Sequence, residues 1–242
     1  MLDDLNFQDI LFLDIETVPV YQNFEELSEE LQFLWDKKSE KFRSDDESAA
    51  DAYRSKAGIY AEYGKIVCIS VGILHAKDDE GWHFRVRSFA NDDEKVLLTE
   101  FGEMLTKHFS LRSKRLCGHN GREFDFPYIC RRMLINGVQL PPILRIQGKK
   151  PWEIMHIDTL DMWKFGDYKN YTSLRLLAAL FDIPTPKDDI DGSEVAGVYW
   201  NENNLQRIVT YCEKDVVTTA RIFLKMAGEH TPIPDANITK NA

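Results

Sequence analysis

Two carboxylates on one side of a strand are the first residues whose type and spacing could do chemistry. The apolar run Leu11–Leu13 is typical of a buried strand, and Asp14 and Glu16 follow it. Side chains two positions apart on a strand share a face, so both carboxylates project to the same side, at or just past the strand's end. Such charges repel each other unless a cation lies between them, and Mg²⁺ takes oxygen ligands. The pair therefore indicates a metal site, and the alternative is an acidic strand end that faces water.

A third carboxylate lies beside an amide and an aromatic ring in the segment HNGREFD. Asp125 follows a short predicted strand and stands near the start of a predicted helix. Asn120 could hydrogen-bond a nucleotide, the Phe124 ring could stack on it, and Asp125 could bind a metal. Asp125 could instead be an acid at a helix N-terminus, where negative charge is favourable. We expect His119 to pack or to bond the loop rather than to bind a ligand.

A further polar pair, Tyr211 and Asp215, lies on the last predicted helix, at about 203–228. Their four-residue spacing places both side chains on one helical face, which also carries the apolar residues Ile208 and Ile222. Polar groups on a mostly buried stripe need partners, because an unpaired buried charge is costly. Asp215 is therefore a candidate site residue, although an aspartate on a helix is usually solvated.

The four carboxylates together point to hard divalent cations. Oxygen-only ligands imply Mg²⁺ or Mn²⁺ rather than zinc or copper. Two such ions about 3.5–4 Å apart form the clamp that is used for in-line displacement at phosphorus. The loop PKDDIDGS at 186–193 does not fit a calcium loop, because in EF-hand register Lys187 takes the first ligand position and Val198 the bidentate position. We expect two divalent cations, Mg²⁺ or Mn²⁺, and no calcium site.

Composition limits the class of protein. The 242 residues, 43% of them hydrophobic, predict a single domain over residues 1–242 with an ordinary core. No apolar run approaches the length of a membrane span, so we expect no membrane association. The cysteines at 68, 117, 130 and 212 form no CxxC pair. That pattern argues against a zinc cluster or a disulfide framework and favours the cytoplasm.

The charge is distributed unevenly along the chain. The formal net charge of −10 argues against nucleic-acid binding, yet residues 104–150 contain ten Lys or Arg and two Asp or Glu. Such asymmetry can mark a nucleic-acid face. The alternative is a solvated basic helix and loop. If the segment follows a phosphate backbone, we expect the salt dependence of binding to involve Arg131, Arg132, Lys149 and Lys150.

The remaining patterns predict a sheet with helices packed on it. Residues 24–60 predict a helical insertion with Phe24, Leu27, Leu31 and Leu34 on one stripe. A meander followed by alternating strands and helices implies a mixed sheet. The tail after Gly228 is expected to be irregular. The other predicted elements are a hairpin of strands at 65–74 and 83–89, a helix at 94–109, and short strands at 115–118 and 156–158.

Three motifs in order resemble a known superfamily. They are DIE at 14–16, Asn-x-x-x-Phe-Asp at 120–125 and Tyr-x-x-x-Asp at 211–215. They resemble the exonuclease motifs of the DnaQ-like DEDD superfamily, and the tyrosine of the third motif resembles the DEDDy branch. The chain is similar to stand-alone predicted 3′–5′ exonucleases related to the exonuclease domain of family-B DNA polymerases. The motifs span nearly the whole chain.

The resemblance implies a fold and a set of roles. The expected fold is α/β and RNase H-like, with a five-stranded mixed sheet flanked by helices, its first three strands antiparallel, and a helical insertion after the first strand. Tyr211 is expected to position the attacking water, and no role is carried over to Asp158. The expected substrate-binding residues are Thr17, Asn120 and Phe124, and the expected ligands of the two metals are Asp14, Glu16, Asp125 and Asp215.

The expected activity is metal-dependent removal of nucleotides from the 3′ end of single-stranded DNA. One alternative is an exoribonuclease on the same fold, since a fold does not fix a substrate. Another is a catalytically silent nucleic-acid-binding or adaptor module. Unpaired clustered carboxylates would only destabilise such a module, which argues for the enzyme. The sequence does not indicate an oligomeric state.

Overall fold

A central six-stranded sheet organises the part of the chain that the structure describes. The computed structural model describes residues 5–77, 81–167, 169, 171–184, 190–229 and 231–241. The strands follow the order β5-β4-β1-β2-β3-β6 across the sheet. Their bounds are β1 Ile10–Pro19, β2 Gly64–Lys77, β3 Gly81–Ala90, β4 Arg115–Gly118, β5 Ile157–Asp158 and β6 Ile238–Asn241.

The directions of the strands match the expected mixed sheet. β1 pairs with β2 and β2 with β3, both antiparallel, as the predicted meander requires. β4 runs parallel to β1, and β5 runs parallel to β4. The carboxyl ends of β1, β4 and β5 therefore meet at one edge of the sheet, so the residues that follow β4 and β5 come close to those that end β1.

The prediction of five strands is wrong, because β6 adds a sixth at the edge of the sheet. β6 lies in the tail that was expected to be irregular and runs parallel to β3. Arg221 donates to the Ile233 carbonyl at 2.8 Å, and Asn237 donates to the Trp82 carbonyl at 3.2 Å, so the tail is held against the sheet. Four residues give a weak strand pattern, and the pairing depends on an exposed edge of β3 that the local sequence does not show.

Helices pack on both faces of the sheet. The bounds of the α-helices are α1 Glu29–Ser39, α2 Ala49–Lys56, α3 Glu94–His108, α4 Asp125–Ile135, α5 Thr159–Lys164, α6 Leu174–Leu180, α7 Val195–Trp200 and α8 Leu205–Met226. Short 3₁₀ turns lie at Phe7–Asp9, Phe24–Glu26, Ala57–Ile59, Pro142–Leu144, Pro151–Glu153 and Asp235–Asn237.

The alternation of side chains along β1 decides which helix faces the carboxylates. The odd-numbered residues Leu11 and Leu13 pack in a core with α3 and α4. The even-numbered residues Ile10 and Phe12 pack in a second core with α8. Side chains alternate between faces along a strand. Asp14 and Glu16 therefore belong to the α8 side, where the last helix carries its own polar residues.

The helical insertion at 24–60 has a small core of its own, but its predicted stripe is partly wrong. Leu27 is buried, whereas Leu31 and Leu34 are exposed on α1. Trp35 is fully buried and donates from its indole nitrogen to the Ala49 carbonyl at 2.9 Å. Tyr53 of α2 packs edge-on against the Trp35 ring. The largest side chain therefore sets the orientation of α1, because it buries more apolar area than a leucine.

Two further expectations concern the loop that was compared with a calcium site and the absence of a membrane-spanning segment. Residues 186–189 of the rejected calcium loop lie outside the described residues, so Lys187 and Asp189 stay untested. Among the helices in the described ranges, none combines the length and the apolar character needed to cross a bilayer.

Candidate functional site

The two carboxylates of β1, Asp14 and Glu16, lie next to Cys212 of α8. One carboxylate oxygen from each and the Sγ of Cys212 all lie within 4.8 Å of one another. The Cys212 thiol lies 3.5 Å from both the backbone carbonyl and the Oδ2 of Asp14 and can donate to either. Sequence reasoning missed Cys212, because a cysteine on the buried side of a helix ordinarily signals packing alone.

The electrostatics around Asp14 and Glu16 favour the binding of a cation. Burial, followed by the charges of Asp125 and Asp215, raises the pKa of Asp14 well above its ordinary value. Burial and the charges of Asp14 and Asp215 do the same to the pKa of Glu16. Buried carboxylates that repel one another are stabilised by a positive charge between them. The oxygen donors thus fit a hard divalent cation, and the Cys212 thiol adds a softer donor at the edge.

Asp125 reaches the same region from the start of α4. Its Oδ1 accepts a hydrogen bond from the backbone nitrogen of Ile15 at 3.1 Å, which ties the helix directly to β1. Burial raises the pKa of Asp125 to about 7. With one oxygen bound to β1, the carboxylate can offer its other oxygen to an ion. Asp125 is also the first residue of α4, so its alternative role as an acid at a helix N-terminus holds as well.

The loop after β4 is held by Asp158, a residue to which sequence reasoning assigned no role. Asp158 is 3% exposed, and its two oxygens accept from the backbone nitrogens of Asn120 and Arg122, each at 2.9 Å. Asn120 has φ 63°, a left-handed conformation that asparagine tolerates better than most residues. Asp158 therefore fixes the loop that presents Asn120. An aspartate at the end of a short predicted strand gives no indication of a partner 38 residues earlier.

His119 has the loop-bonding role that we expected. Its Nδ1 lies 2.9 Å from the Thr159 hydroxyl, and its Nε2 lies 2.9 Å from the Thr172 carbonyl. Burial lowers the pKa of His119, so the ring is neutral at physiological pH. Both ring nitrogens have protein partners, which leaves neither for a metal.

Tyr211 and Asp215 face the strand carboxylates from α8. The Tyr211 hydroxyl donates to the Asp215 carboxylate, and burial followed by the charge of Asp215 raises the pKa of Tyr211. Glu16 and Asp14 raise it further. The hydroxyl therefore keeps its proton at neutral pH and acts as a hydrogen-bond donor.

The predicted substrate-binding residues Thr17 and Phe124 both lie against Tyr128. The Thr17 hydroxyl is hydrogen-bonded to that of Tyr128, which donates to the Gly58 carbonyl at 2.7 Å. The half-buried Phe124 ring lies 5.3 Å from the Tyr128 ring. These contacts join the site to the helical insertion, and they occupy part of the surface that was expected to meet substrate.

The basic segment 104–150 is only partly available to a polyanion. We expected Arg132 to contribute to the salt dependence of nucleic-acid binding, and that expectation is wrong. Arg132 is 5% exposed and is paired with the equally buried Glu94 at 2.5 Å. Lys114 is paired with Asp9 at 2.6 Å. A count of charges along the chain cannot show such partners. The cations of this segment that are exposed are Lys107, Arg112, Arg131, Arg145, Lys149 and Lys150.

Tyr171, which sequence reasoning did not single out, also borders the site. It is 67% exposed, and its ring lies 6.4 Å from the His119 ring. Partial burial raises the pKa of Tyr171, and the charges of Asp125, Asp158 and Asp14 add to this shift. No local pattern marks an exposed tyrosine in a loop.

Comparisons with known proteins identify the family of the chain. A family model described as "Predicted 3'-5' exonuclease related to the exonuclease domain of PolB" matches residues 59–239. That span includes Asp125, Tyr211 and Asp215, and it begins after Asp14 and Glu16. A comparison with curated proteins finds no match.

Among solved structures, one similar chain is the family B DNA polymerase of the hyperthermophilic archaeon Pyrobaculum calidifontis. The two share 16% sequence identity with a TM-score of 0.49. The match covers 90% of this chain and 27% of the polymerase chain, so the protein corresponds to about a quarter of that polymerase's length.

Proposed function

Because the chain belongs to the family of predicted 3′–5′ exonucleases related to the exonuclease domain of PolB, we propose that it hydrolyses phosphodiester bonds at the 3′ end of single-stranded DNA. The observation that carries this proposal is the meeting of possible metal-binding side chains from three elements. Asp14 and Glu16 come from β1, and Cys212 of α8 lies within 4.8 Å of them. Asp125 of α4 is bonded to the backbone of β1.

The proposed cofactors are two divalent cations, Mg²⁺ or Mn²⁺, which supply an activated water and stabilise the leaving oxygen. Asp14, Glu16 and Asp215 would hold the first ion. Asp14 and Asp125, directly or through water, would hold the second. The raised pKa values of Asp14 and Glu16 support this proposal, because buried carboxyl groups take up a cation in place of protons.

The chain's own residues would orient the reacting groups. Tyr211 is too weak an acid to serve as a base at neutral pH, since burial and Asp215 raise its pKa. Its hydroxyl would instead position the attacking water by a hydrogen bond, as in the DEDDy branch. Asn120, whose backbone nitrogen donates to Asp158, would contact the nucleotide.

The proposed substrate is a polyanion, and the exposed cations Arg131, Lys149 and Lys150 support this. DNA is preferred to RNA because the family is related to a polymerase exonuclease domain. RNA is the alternative substrate, and a nucleic-acid-binding module without activity is the alternative function. A cytoplasmic location stays a prediction.

A degradation time course with Mn²⁺ tests the proposal. We expect 5′-labelled single-stranded DNA to shorten one nucleotide at a time and 3′-labelled DNA to release labelled mononucleotide at once. A 3′-phosphate should block the reaction, and Asp215→Asn is the inactive control. Rapid cutting of circular single-stranded DNA would indicate an endonuclease. Faster cutting of matched RNA would indicate an exoribonuclease, and binding without cutting would indicate a silent module.

A further inference from the structure

The turn at residues 149–152, which we call the KKPW turn, places an exposed aromatic ring beside two exposed cations. Trp152 is 73% exposed, whereas the other four tryptophans are buried or half-buried. Lys149 and Lys150 are exposed as well, and the Lys150 ammonium lies 5.1 Å from the centre of the Trp152 ring. A tryptophan contributes a large apolar area when it is covered. Packing within the chain therefore does not explain why a tryptophan stands at this position.

The KKPW turn has a defined backbone conformation. Its second half begins the 3₁₀ turn Pro151–Glu153. The Lys150 backbone nitrogen donates to the Glu153 carboxylate at 2.7 Å, and the ring of Pro151 restricts the backbone further. A partner that covers Trp152 would therefore bind a surface that is already ordered, which reduces the entropy lost on binding.

Arg122 connects the KKPW turn to the loop of the candidate site. Its guanidinium donates to the Pro151 carbonyl at 2.6 Å, and its backbone nitrogen donates to Asp158 at 2.9 Å. The same carboxylate accepts from the Asn120 nitrogen. Arg122 is three residues before Asp125, so their Cα atoms are at most about 11 Å apart. The turn therefore lies against the loop that leads to Asp125, and an oligonucleotide bound at the carboxylates can extend to it.

An aromatic ring beside cations is suited to bind single-stranded nucleic acid. Every base has a π-face that can stack on an aromatic side chain, and lysines attract the phosphates on either side of the base. An acidic protein segment is the alternative partner for the same lysines. The neighbouring carboxylate site favours nucleic acid, because the part of a substrate that is not being cleaved must leave that site along the protein surface.

We propose that the KKPW turn is a second contact for single-stranded nucleic acid, in which Trp152 stacks on an internal base on the 5′ side of the terminal nucleotide. Lys149 and Lys150 contact the adjacent phosphates. The inference rests on the proposed function and deepens it. It assigns the chain a preference for unpaired substrates that are long enough to reach from the carboxylates to the turn, since the internal bases of a duplex are stacked on one another.

A length series tests this inference without any hydrolysis. In an Asp215→Asn background with Mn²⁺, unlabelled single-stranded DNA oligonucleotides that share one 3′ end and increase in length compete with a labelled reference, and anisotropy reports their affinities. We expect a rise of about 5- to 150-fold at the length that reaches the turn. Trp152→Ala should remove that rise and leave the shortest oligonucleotides unaffected, whereas Trp152→Phe keeps a ring and should retain it. Phe33→Ala is the matched control, since Phe33 is an exposed aromatic on α1.

An abasic scan identifies the base that stacks. One abasic nucleotide is placed at each position of a long oligonucleotide in turn. At one internal position it should weaken binding to the protein that retains Trp152 by the same factor that Trp152→Ala causes, and Trp152→Ala should no longer distinguish that oligonucleotide from the intact one. Trp152→Leu keeps apolar bulk without the π-face and should behave like alanine. Equal affinities of the Trp152 and Trp152→Ala proteins at every length would overturn the inference and make the turn a surface for a protein partner.

A parallel degradation assay separates the two proposals. If the natural protein shortens neither single-stranded DNA nor RNA, the proposed function fails, while a rise in affinity that depends on Trp152 would still support the binding surface. If the natural protein is active and no rise in affinity depends on Trp152, the inference alone fails. Circular dichroism and thermal melting of each variant verify that it is folded.

Discussion

At the scale of single residues, Asp14 is placed where its charge is costly unless a cation is bound. Burial and the neighbouring acids raise its pKa, and the Cys212 thiol lies within hydrogen-bond distance of its carboxylate. Glu16 and Asp125 share this condition. Such clustering destabilises a folded chain without a compensating ion, so the residues that would be catalytic should also control how stability depends on metal and pH.

The first prediction separates the roles of Asp215 and Tyr211. Asp215→Asn removes a proposed anionic ligand, so activity should nearly vanish and the Mn²⁺-induced rise in melting temperature should shrink. Tyr211→Phe removes only one hydroxyl, so the metal-induced rise should persist while the rate falls about 10²- to 10³-fold. Single-turnover kinetics and melting with and without Mn²⁺ measure both effects. An unchanged rate for Tyr211→Phe would place Tyr211 in the core alone.

The second prediction concerns pH in the metal-free protein. The pKa of Asp125 is about 7 in the fold, because burial raises it, whereas an aspartate in an unfolded chain titrates near about 3.9. Between these values the folded chain holds a proton that the unfolded chain lacks, so the free energy of unfolding should fall as pH rises through this window. Urea unfolding from pH 4 to 8 in a chelator measures this slope.

Asp125→Asn should make that decline shallower, because the amide does not titrate and can still accept from the Ile15 nitrogen. The control is Asp46→Asn at an exposed position, which should leave the slope unchanged. A slope in Asp125→Asn equal to that of the natural chain would show that Asp125 does not titrate in this window. Saturating Mn²⁺ should flatten the decline in the natural chain, because the ion favours the deprotonated carboxylates.

At the scale of elements, one buried polar network joins α3 and α4 to β2 and to Ala61, which follows the insertion. Arg132 of α4 pairs with Glu94 of α3 and donates to the Ala61 carbonyl at 2.9 Å. Glu94 also accepts from the backbone nitrogen of Ile66 on β2 at 2.7 Å. This network fixes α4, and therefore Asp125 at its start, relative to the sheet.

The third prediction follows from that network. Arg132→Ala leaves the Glu94 charge buried without its ionic partner, so the free energy of unfolding should fall by about 3–5 kcal/mol. Arg131→Ala is the matched control on the next position, which is exposed, and should change it by less than about 0.5 kcal/mol. Urea unfolding measures both. Similar losses for the two variants would show that the pair does not hold α4 in place.

At the scale of the whole molecule, an acidic protein carries its exposed cations unevenly. The net charge is −10, which opposes the approach of a polyanion except where cations are clustered and free. Lys149 and Lys150 are exposed in the segment that leads to β5, and Arg131 is exposed on α4. Arg132 and Lys114 of the same segment are paired with acids. The surface that is available to bind a polyanion is therefore smaller than the count of cations in the segment suggests.

The fourth prediction uses salt to map that surface. The logarithm of the affinity for single-stranded DNA should fall linearly with the logarithm of salt, by about 0.7 per phosphate neutralised. Lys149→Glu, Lys150→Glu and Arg131→Glu should each flatten the slope. Lys41→Glu, an exposed position in the insertion, is the control. Fluorescence anisotropy in the Asp215→Asn background measures the slopes, and three unchanged slopes would make the segment a merely solvated face.

The sequence by itself determined the features that depend on local periodicity. The alternation of β1 put Asp14 and Glu16 on one side, and the helical repeat put Tyr211 and Asp215 on one face, because backbone geometry fixes both periods. The three motifs identified the family, which the match over residues 59–239 confirms. The hairpin of β2 and β3 followed from two β-rich runs and the turn between them.

Only the tertiary structure decided which distant residues meet. Cys212 lies against Asp14 across 198 positions, Asp158 holds the loop at Asn120, and Tyr171 borders the site, yet no pattern near any of them indicates this. The burial of Arg132 and the pairing of β6 were likewise mispredicted. Each depends on a partner supplied by another element. The order of strands in the sheet brings such partners together. That order is set by the packing of the whole chain rather than by local preference.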